Sequence, residues 1–405
     1  MQLPTLTQSP AALPSTFPAV EVTGLYVHVP FCFHKCHYCD FYSITHQSPE
    51  RMIAFVDRVL AEARKWAGRE SPTLRPKTVF FGGGTPSLLP REQMARLIAG
   101  LRSIFDFSQC DEWTVECNPA TVDADYCAML RSSGVDRLSF GAQSFHREDL
   151  RLLERHHDPE DVPRSLDLAR AAGFERLNVD LIFAIPGQSE ESWAATLETA
   201  IGLGTSHLSC YGLTYEPNTP LAVKRRLGRI TAAEEDIELR MLRHTRERLA
   251  SAGMPAYEIS NYAASGQECR HNLLYWNGGD YIGLGPSAAS HVQGWRWKNR
   301  PHLGEWEEAV DAERLPADEV EHLSPPRRAG ELAMLQLRLT RGIDFADFAA
   351  RTGVDARIAF ADPIERFSRA GLLERTAAGV RLSNAGLAVA DSLAAEFLSE
   401  DQQSV

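Results

Sequence analysis

Three cysteines near the amino terminus have the spacing of a metal-binding loop. Cys32, Cys36 and Cys39 follow one another as C-x3-C-x2-C. Thiolate sulfur is a soft ligand that favours zinc or an iron–sulfur cluster. A closed four-iron cluster needs four protein ligands, but no fourth cysteine follows nearby and residue 41 is Phe. Three thiolates would therefore leave one iron open to an exogenous ligand.

A zinc ion is the alternative occupant of this loop. Zinc takes four ligands, and imidazole nitrogen often completes a cysteine site. His28, His34 and His37 lie beside the cysteines in the sequence, and each offers such a nitrogen. The cysteine spacing alone leaves both kinds of site open.

Six short apolar runs, each followed by a helical pattern, must position these thiols. The runs fall at residues 25–29, 78–81, 113–116, 137–140, 177–182 and 207–211. The stretches between them have amphipathic spacing and helix-start or helix-stop residues. Strands that alternate with helices form a parallel sheet. Six units rather than eight predict an α/β fold with a partial (β/α)6 barrel.

Polar and glycine-rich residues follow these runs, at the ends where a parallel barrel builds its site. The thiol loop follows the first run, and Gly82-Gly83-Gly84-Thr85-Pro86 follows the second. Glycines let a backbone approach a ligand closely and expose its N–H and C=O groups. Such a run also occurs in simple tight turns. Its place one unit after the thiol loop favours ligand binding.

Four polar residues lie in or beside the later runs: Glu116, Gln143, Arg155 and Asp180. One interpretation is a buried ion-pair network, since buried charges are usually paired. The other is a ligand site, because an arginine can fork onto a carboxylate and an acid can bind hydroxyl or ammonium groups.

The thiol loop and the glycine run together resemble the radical S-adenosylmethionine (SAM) superfamily. The phrases Tyr26-Val-His-Val-Pro-Phe-Cys32, Glu116-Cys-Asn-Pro119, Phe140-Gly-Ala-Gln-Ser144 and Asn178-Val-Asp-Leu-Ile182 narrow the resemblance to oxygen-independent coproporphyrinogen III oxidases and their relatives. It covers nearly the whole chain from about residue 22. The resemblance implies a role in porphyrin biosynthesis, a [4Fe-4S] cluster on the three cysteines, and SAM on the fourth iron. It further implies a SAM site formed by Tyr26, Tyr38, Gly83, Gly84, Thr85, Glu116, Gln143, Arg155 and Asp180.

Position 41 departs from the oxidase pattern. The oxidases carry a further cysteine two places after the third ligand, whereas this chain reads Cys39-Asp40-Phe41. That segment resembles the paralogous heme chaperones of the HemW family. The motif His271-Asn272-Leu-Leu-Tyr275-Trp276 is similar to the H-N-x-x-Y-W motif associated with heme binding there. The resemblance implies heme as a further cofactor, with His271 offering an imidazole to its iron.

Four of the seven tryptophans lie close to this motif, at positions 276, 295, 297 and 306. With Tyr275 they offer flat apolar surface for a macrocycle. The alternative is that the tryptophans are core residues and that His271 only orders a loop between domains.

The order of the patterns predicts four segments. Residues 1–20 contain four prolines and no charge, which predicts a disordered leader. Residues 21–255 form the radical SAM core barrel, and residues 256–318 form an aromatic-rich segment with the heme motif. Residues 319–405 resemble a small α+β, winged-helix-like domain. Residues 321–405 contain 10 Arg, no Lys and 12 acidic residues, so the basic surface that nucleic-acid binding needs is missing.

Composition excludes several other classes. The 405 residues carry a net charge of −12, which argues against a general binder of nucleic acid or acidic membranes. The other five cysteines are scattered, and the start of the chain lacks the pattern of a secretion signal. No apolar run is long enough to cross a bilayer. We therefore predict a cytoplasmic protein.

Three functions fit these patterns. The first is a heme chaperone that carries the cluster and SAM and passes heme to an acceptor hemoprotein. The alternative is oxidative decarboxylation of coproporphyrinogen III by a 5′-deoxyadenosyl radical, so whether the protein is an enzyme is left open and no catalytic residue is assigned. A structural zinc protein is the third. The resemblance allows peripheral membrane association and either a monomer or a homodimer.

Overall fold

In the computed structural model of the protein, residues 13–45 and 47–398 are described. Six parallel strands alternate with helices, as the sequence predicts. The strands are β1 (Glu21–Val29), β2 (Thr73–Gly83), β3 (Glu112–Cys117), β4 (Arg137–Gln143), β5 (Arg176–Phe183) and β6 (His207–Gly212). The helices between them are α1 (Pro49–Ala67), α2 (Arg91–Ile104), α3 (Ala124–Ser132), α4 (Arg147–Leu153), α5 (Asp161–Ala171) and α6 (Glu190–Gly202). The helices α7 (Pro220–Arg226) and α8 (Glu235–Ser251) follow β6.

The sheet remains open and continues beyond these six strands. On one side, β7 (Asn261–Ala263) pairs with β6 in the antiparallel direction. On the other side, β8 (Tyr281–Leu284) pairs with β1 in parallel and is followed by β9 (Ala289–Val292), β10 (Trp295–Asn299) and β11 (Ala317–His322). The strand order is β11-β10-β9-β8-β1-β2-β3-β4-β5-β6-β7. The partial barrel is confirmed, and residues 256–318 extend its sheet.

The helices α9 (Arg270–Trp276) and α10 (Leu303–Asp311) belong to this extension. A buried carboxylate fastens it to the barrel: Glu62 of α1 is 1% exposed. Its two oxygens accept hydrogen bonds from Asn299 Nδ2 at 2.7 Å, the Gly285 backbone N–H at 2.9 Å and Trp306 Nε1 at 3.0 Å. One side chain thus joins α1 to three separate parts of residues 285–306.

Replacing Glu62 with Leu is expected to destabilise the protein by about 3–5 kcal/mol, because three buried N–H groups lose their acceptor. The free energy of unfolding in urea measures this effect. Glu247→Leu is the matched control, since Glu247 is exposed on α8, and a change within about 0.5 kcal/mol is expected there. Equal stability of the two variants would contradict the assigned role of Glu62.

The tryptophans of the extension belong largely to the core. Trp306 is fully buried and packs on Phe55, and Trp297 stacks on Trp66 with ring centroids 5.5 Å apart. Phe17 contacts Trp297 at 5.8 Å and is 5% exposed. Within the segment predicted as a disordered leader, Phe17 thus packs on the core; residues 1–12 lie outside the described residues.

A second, smaller core forms the carboxyl-terminal domain. Its helices are α11 (Pro325–Leu337), α12 (Phe345–Thr352), α13 (Ala356–Ala359), α14 (Ala361–Arg369) and α15 (Ala390–Ala395). Its strands β12 (Ile343–Asp344), β13 (Leu373–Arg375) and β14 (Gly379–Leu382) pair in the order β12-β14-β13. This small α+β domain is winged-helix-like, as predicted. Among the described residues, no helix combines the length and apolar character needed to cross a membrane.

Candidate cofactor site

Two adjoining cavities are lined by residues of the barrel strands and of the loops that follow them. The thiol cavity, of about 650 Å³, is lined by Cys32, Cys36 and Cys39 among others. The inner cavity, of about 710 Å³, is lined by Tyr26, Phe80 and the residues of α9 that face it. Both include Tyr38, Cys39, Phe41, Gly83, Glu116, Ser139, Asp180, Tyr211 and Glu216. Both volumes are in the range of small-molecule and cofactor sites.

The predicted site residues all line one or both of these cavities. The thiol cavity alone contains Cys32, Cys36, Gly84, Thr85, Gln143 and Arg155. Both cavities contain Tyr38, Cys39, Gly83, Glu116 and Asp180. The inner cavity alone contains Tyr26 and His271. The structure thus brings these side chains together in one region of the barrel.

The thiol loop is held at both of its ends. The Cys32 backbone N–H donates to the Ile44 carbonyl at 2.9 Å, and the Ile44 N–H donates to the Pro30 carbonyl at 2.8 Å. In the middle of the loop, the His37 N–H donates to the Leu153 carbonyl at 3.2 Å. These bonds position three sulfur atoms without using any of the thiols themselves.

The distances between the thiol sulfur atoms bear on the zinc alternative. Four ligands at about 2.3 Å from zinc place sulfur atoms about 3.8 Å apart. In the described part of the chain, the one group of three or more His, Cys, Asp or Glu side chains with ligand atoms within 4.8 Å of one another is His34, Glu154 and His156. Cysteine is absent from that group, so the three thiol sulfur atoms of the loop do not all lie within 4.8 Å of one another.

Burial keeps two of the thiols protonated in the absence of a metal. It raises the pKa of Cys32, and it raises the pKa of Cys39 to about 11. Iron binds thiolate, so assembly of a cluster would release protons and supply the positive charge that the buried sulfur atoms need. The Arg155 guanidinium, 3.7 Å from Cys36 Sγ through Nη1, already supplies one such charge.

The glycine run lies directly against the thiol loop. The Gly84 N–H donates to the Val29 carbonyl at 2.8 Å, and the Thr85 N–H donates to the Phe31 carbonyl at 2.7 Å. A Cβ atom at Gly84 would lie 2.7 Å from the Phe31 carbonyl oxygen, which is too close for any side chain. Gly83 has φ +104°, a conformation that favours glycine. The run therefore brings backbone to the edge of the thiol cavity.

Three carboxylates line both cavities, Glu116, Asp180 and Glu216, and the first two differ in their surroundings. Burial, and then the nearby charge of Asp180, raises the pKa of Glu116 to about 8. Asp180 accepts hydrogen bonds from Ser139 Oγ at 2.9 Å and from Asn178 Nδ2 at 2.8 Å. Glu116 is thus poised to lose a proton when a cationic ligand enters, whereas Asp180 is held in place by neutral donors.

Gln143 and Arg155 complete the far wall of the thiol cavity. Gln143 follows a bulge in β4 and has φ +68°, a left-handed conformation that costs a non-glycine residue about 1–2 kcal/mol. Arg155 Nη2 donates to the Gly141 carbonyl, and its Nε is buried without a partner. Strain and unsatisfied donors of this kind are typical of ligand-binding sites.

The inner cavity is lined by aromatic rings. Tyr26 Oη donates to His28 Nδ1 at 3.1 Å, while His28 Nε2 donates to the Tyr42 carbonyl at 2.9 Å. His28 is therefore engaged at both nitrogens, and burial lowers its pKa to about 4. Phe80 lies 6.4 Å from Tyr26, ring centre to ring centre. Tyr26 thus lies beside the thiol cavity and not in its wall.

His271 lines the inner cavity but is fully buried. Its Nδ1 is 2.9 Å from Thr78 Oγ1, its Nε2 is 2.8 Å from Tyr275 Oη, and its ring stacks on Phe80. Burial lowers its pKa to about 4. Iron ligation through Nε2 would require the bond between His271 and Tyr275 to break, and ligation through Nδ1 would require the bond to Thr78 to break. Trp276 is absent from both cavity walls, and Arg338 lies over its ring.

Two cations of the inner cavity were not predicted from the sequence. Arg137, at the start of β4, and Lys298, on β10, both line its wall. In the sequence Arg137 is the one charged residue of the run Arg137-Leu-Ser-Phe140, and only the structure shows that all four residues are buried. Lys298 gave no comparable signal.

The comparisons with known proteins agree with this geometry. The family model of the radical SAM superfamily matches residues 26–200, and the model of the HemN C-terminal domain matches residues 323–389. The superfamily match implies a [4Fe-4S] cluster and SAM as cofactors. Among solved structures, coproporphyrinogen III oxidase (HemN) from Escherichia coli has a TM-score of 0.80 and 24% identity, covering 93% of this chain and 90% of that one. At this identity the likeness shows the fold.

Three relatives named heme chaperone HemW match between 66% and 96% of this chain. The protein of Mycobacterium tuberculosis (strain H37Rv) is 34% identical over 397 residues, which cover 96% of this chain and 99% of that protein. The protein of Bacillus subtilis (strain 168) is 31% identical over 378 residues, covering 93% and 99%. The protein of Escherichia coli (strain K12) is 38% identical over 276 residues, covering 66% and 70%. From its thiol loop to its carboxyl-terminal domain, this chain belongs to the HemW family of the radical SAM superfamily.

Proposed function

We propose that this protein is a heme chaperone that binds heme and transfers it to acceptor hemoproteins. The observation that carries the proposal is the similarity to proteins named heme chaperone HemW over 96% of this chain. The inner cavity supports it, because Tyr26, Phe80, Tyr275 and Tyr281 offer flat aromatic surface. Phe41 supports it as well, since it lines both cavities where the oxidase pattern has a cysteine.

We propose that Cys32, Cys36 and Cys39 hold a [4Fe-4S] cluster and that SAM binds beside it. Residues that fit SAM are Gly83, Gly84 and Thr85 for its amino group, Arg155 for its carboxylate, and Glu116, Gln143, Asp180 and Tyr38 for the rest of the molecule. When bound, the cluster and SAM would supply one-electron chemistry. The residues of the thiol cavity would supply hydrogen-bond donors and acceptors to the cluster and SAM and would shield them from solvent. The unpaired state of all eight cysteines supports a reducing compartment, and we therefore propose the cytoplasm.

The second candidate is oxygen-independent decarboxylation of coproporphyrinogen III. The thiol cavity favours it, because its walls contain three thiols for a cluster and backbone, carboxylate and guanidinium groups for SAM. Position 41 and the aromatic inner cavity favour the chaperone. We therefore keep the oxidase as the alternative.

One experiment separates these two functions. The protein is reconstituted anaerobically with iron and sulfide, titrated with heme, and assayed with coproporphyrinogen, SAM and a reductant. Stoichiometric heme binding without carbon dioxide release is expected. Carbon dioxide release with weak heme binding would establish the oxidase instead, and iron-free protein that holds one zinc per chain would refute both.

Replacing His271 with Ala is expected to lower heme affinity about tenfold or more if its imidazole binds iron. The same change removes the bonds to Thr78 and Tyr275, so it also costs stability, about 2 kcal/mol. Heme titrations monitored by the Soret band measure the affinity, and unfolding in urea measures the stability.

Tyr275→Phe separates these two effects. It keeps an aromatic ring beside His271 but removes the hydroxyl that occupies Nε2. If His271 ligates iron, this variant should bind heme at least as tightly as the wild type. If both variants leave heme affinity unchanged, His271 is a core residue and the ligand lies elsewhere.

A further inference from the structure

The guanidinium group of Arg137 is buried in the wall of the inner cavity without a partner. Arg137 is 3% exposed. Within residues 13–45 and 47–398, no acceptor lies within hydrogen-bonding distance of this guanidinium, and no carboxylate oxygen lies within 4.0 Å. A buried charge without a partner is costly, and buried arginines are normally paired. The cavity therefore contains an unused cationic donor of five N–H groups.

The acidic residues around Arg137 are already engaged. Glu112 accepts from Arg176 Nη2 at 2.6 Å and from the backbone N–H groups of Arg270 and His271 at 3.0 and 2.9 Å. Asp180 accepts from Ser139 and Asn178. Glu112 and Asp180 therefore balance the positive charge of Arg137 only from a distance. A bound ligand could supply a carboxylate in direct contact with the guanidinium.

The electrostatic surroundings keep Arg137 charged. Burial alone lowers the pKa of an arginine, but the nearby Cys269 and Glu112 outweigh it and leave the pKa of Arg137 above its ordinary value. His207, which lies near Arg137, has its pKa lowered by burial and then by Arg137 and Arg176, so it adds no positive charge. Lys298 lines the same cavity from β10 and has no ion pair within 4.0 Å among the described residues.

We propose that Arg137 binds a carboxylate group of the ligand that occupies the inner cavity. A planar guanidinium matches a carboxylate through two parallel hydrogen bonds. The cavity adds the aromatic rings of Tyr26, Phe80 and Tyr275, which suit a flat ring system. The assignment of the ligand rests on the proposed function: the carboxylates are the propionates of heme, with Lys298 available for the second one. The other source of a carboxylate beside this cavity is SAM.

The test compares ligands with and without carboxylates. The reconstituted full-length protein is titrated with heme and with heme dimethyl ester, which keeps the iron and the ring but has no anionic propionate. The wild type is expected to bind heme about 10- to 100-fold more tightly than the ester. Arg137→Gln should lose most of that preference by weakening only the binding of heme, while Arg137→Lys should keep part of it.

Arg176→Gln is the matched control. Arg176 is the register partner of Arg137 on β5, but its guanidinium is paired with Glu112 and Asp136. This variant should lose stability and keep the preference for heme over the ester. Iron content and far-ultraviolet circular dichroism verify that each variant is folded.

The possible results are distinct. Equal affinity of the wild type for heme and its ester would overturn the carboxylate proposal while leaving heme binding intact. If Arg137→Gln weakens the binding of heme and of its ester equally, the proposal is also overturned, since the residue would then act on the fold.

If the wild type binds neither porphyrin, the proposed function fails. The affinity for SAM is then compared with the affinity for decarboxylated SAM, which lacks the carboxylate. A preference for SAM over decarboxylated SAM that is lost in Arg137→Gln would support Arg137 as a site for the carboxylate of SAM. If the wild type shows no such preference, Arg137 is not a carboxylate site.

Discussion

Replacing any one of Cys32, Cys36 or Cys39 with Ser is expected to abolish the iron–sulfur cluster. Three thiolates leave one iron without a protein ligand, and a site with only two cannot hold a stable four-iron centre. After anaerobic reconstitution, iron should fall from about four atoms per chain to nearly none, and the broad visible absorbance should disappear. Iron and sulfide analysis with absorption spectra measures both.

Cys110→Ser provides the matched control for this prediction. Cys110 is half-buried, and its Sγ only donates weakly to the Glu112 carbonyl at 3.6 Å. This variant should keep its cluster and lose at most about 1 kcal/mol of stability. Full iron content in one of the loop variants, or iron loss in the control, would require a different set of ligands.

Replacing Arg155 with Gln is expected to weaken SAM binding about 100-fold, or about 3 kcal/mol. Its guanidinium is held by the Gly141 carbonyl, and its Nε is buried without a partner. A carboxylate placed there would receive a charge-assisted bond that Gln can replace only with a neutral one. Equilibrium binding of SAM to the reconstituted protein measures the loss.

The contact of Arg155 with Cys36 makes one control necessary. The guanidinium lies 3.7 Å from Cys36 Sγ, so SAM affinity is compared at equal cluster content. Arg147→Gln is the matched variant, because Arg147 is exposed on α4 and, among residues 13–45 and 47–398, pairs only with Asp158 and Glu160. It should bind SAM as the wild type does. Unchanged affinity in Arg155→Gln would remove this residue from the SAM site.

The sequence predicts the barrel and the thiol cavity well because their signals are local. Each of these signals is a short continuous segment: the thiol loop, the glycine run and each of the six apolar runs. Parallel pairing of the strands then brings their ends together. Every residue assigned to the cluster or to SAM lines one of the two cavities. Only Tyr26 lies deeper than expected, because its hydroxyl is bonded to His28.

The inner cavity could not be predicted in the same way, because it depends on distant pairing. The surroundings of His271 are set by β2, α9 and Glu112, which are far apart in the sequence. The short motif therefore did not reveal that both imidazole nitrogens are occupied. Arg137 was missed for a related reason: a charge at the start of an apolar run usually marks a solvated strand end, and here the extension of the sheet encloses it.

The pairing of β8 with β1 also has a consequence for how the chain folds. Gly24 lies beside Tyr281 in this parallel pair, so one edge of the first strand stays open until more than 250 further residues have been synthesised. Contacts of such long range slow folding, and an open strand edge invites pairing with other chains. A nascent chain that stops before β8 would carry an unprotected edge on the strand that leads into its three loop cysteines.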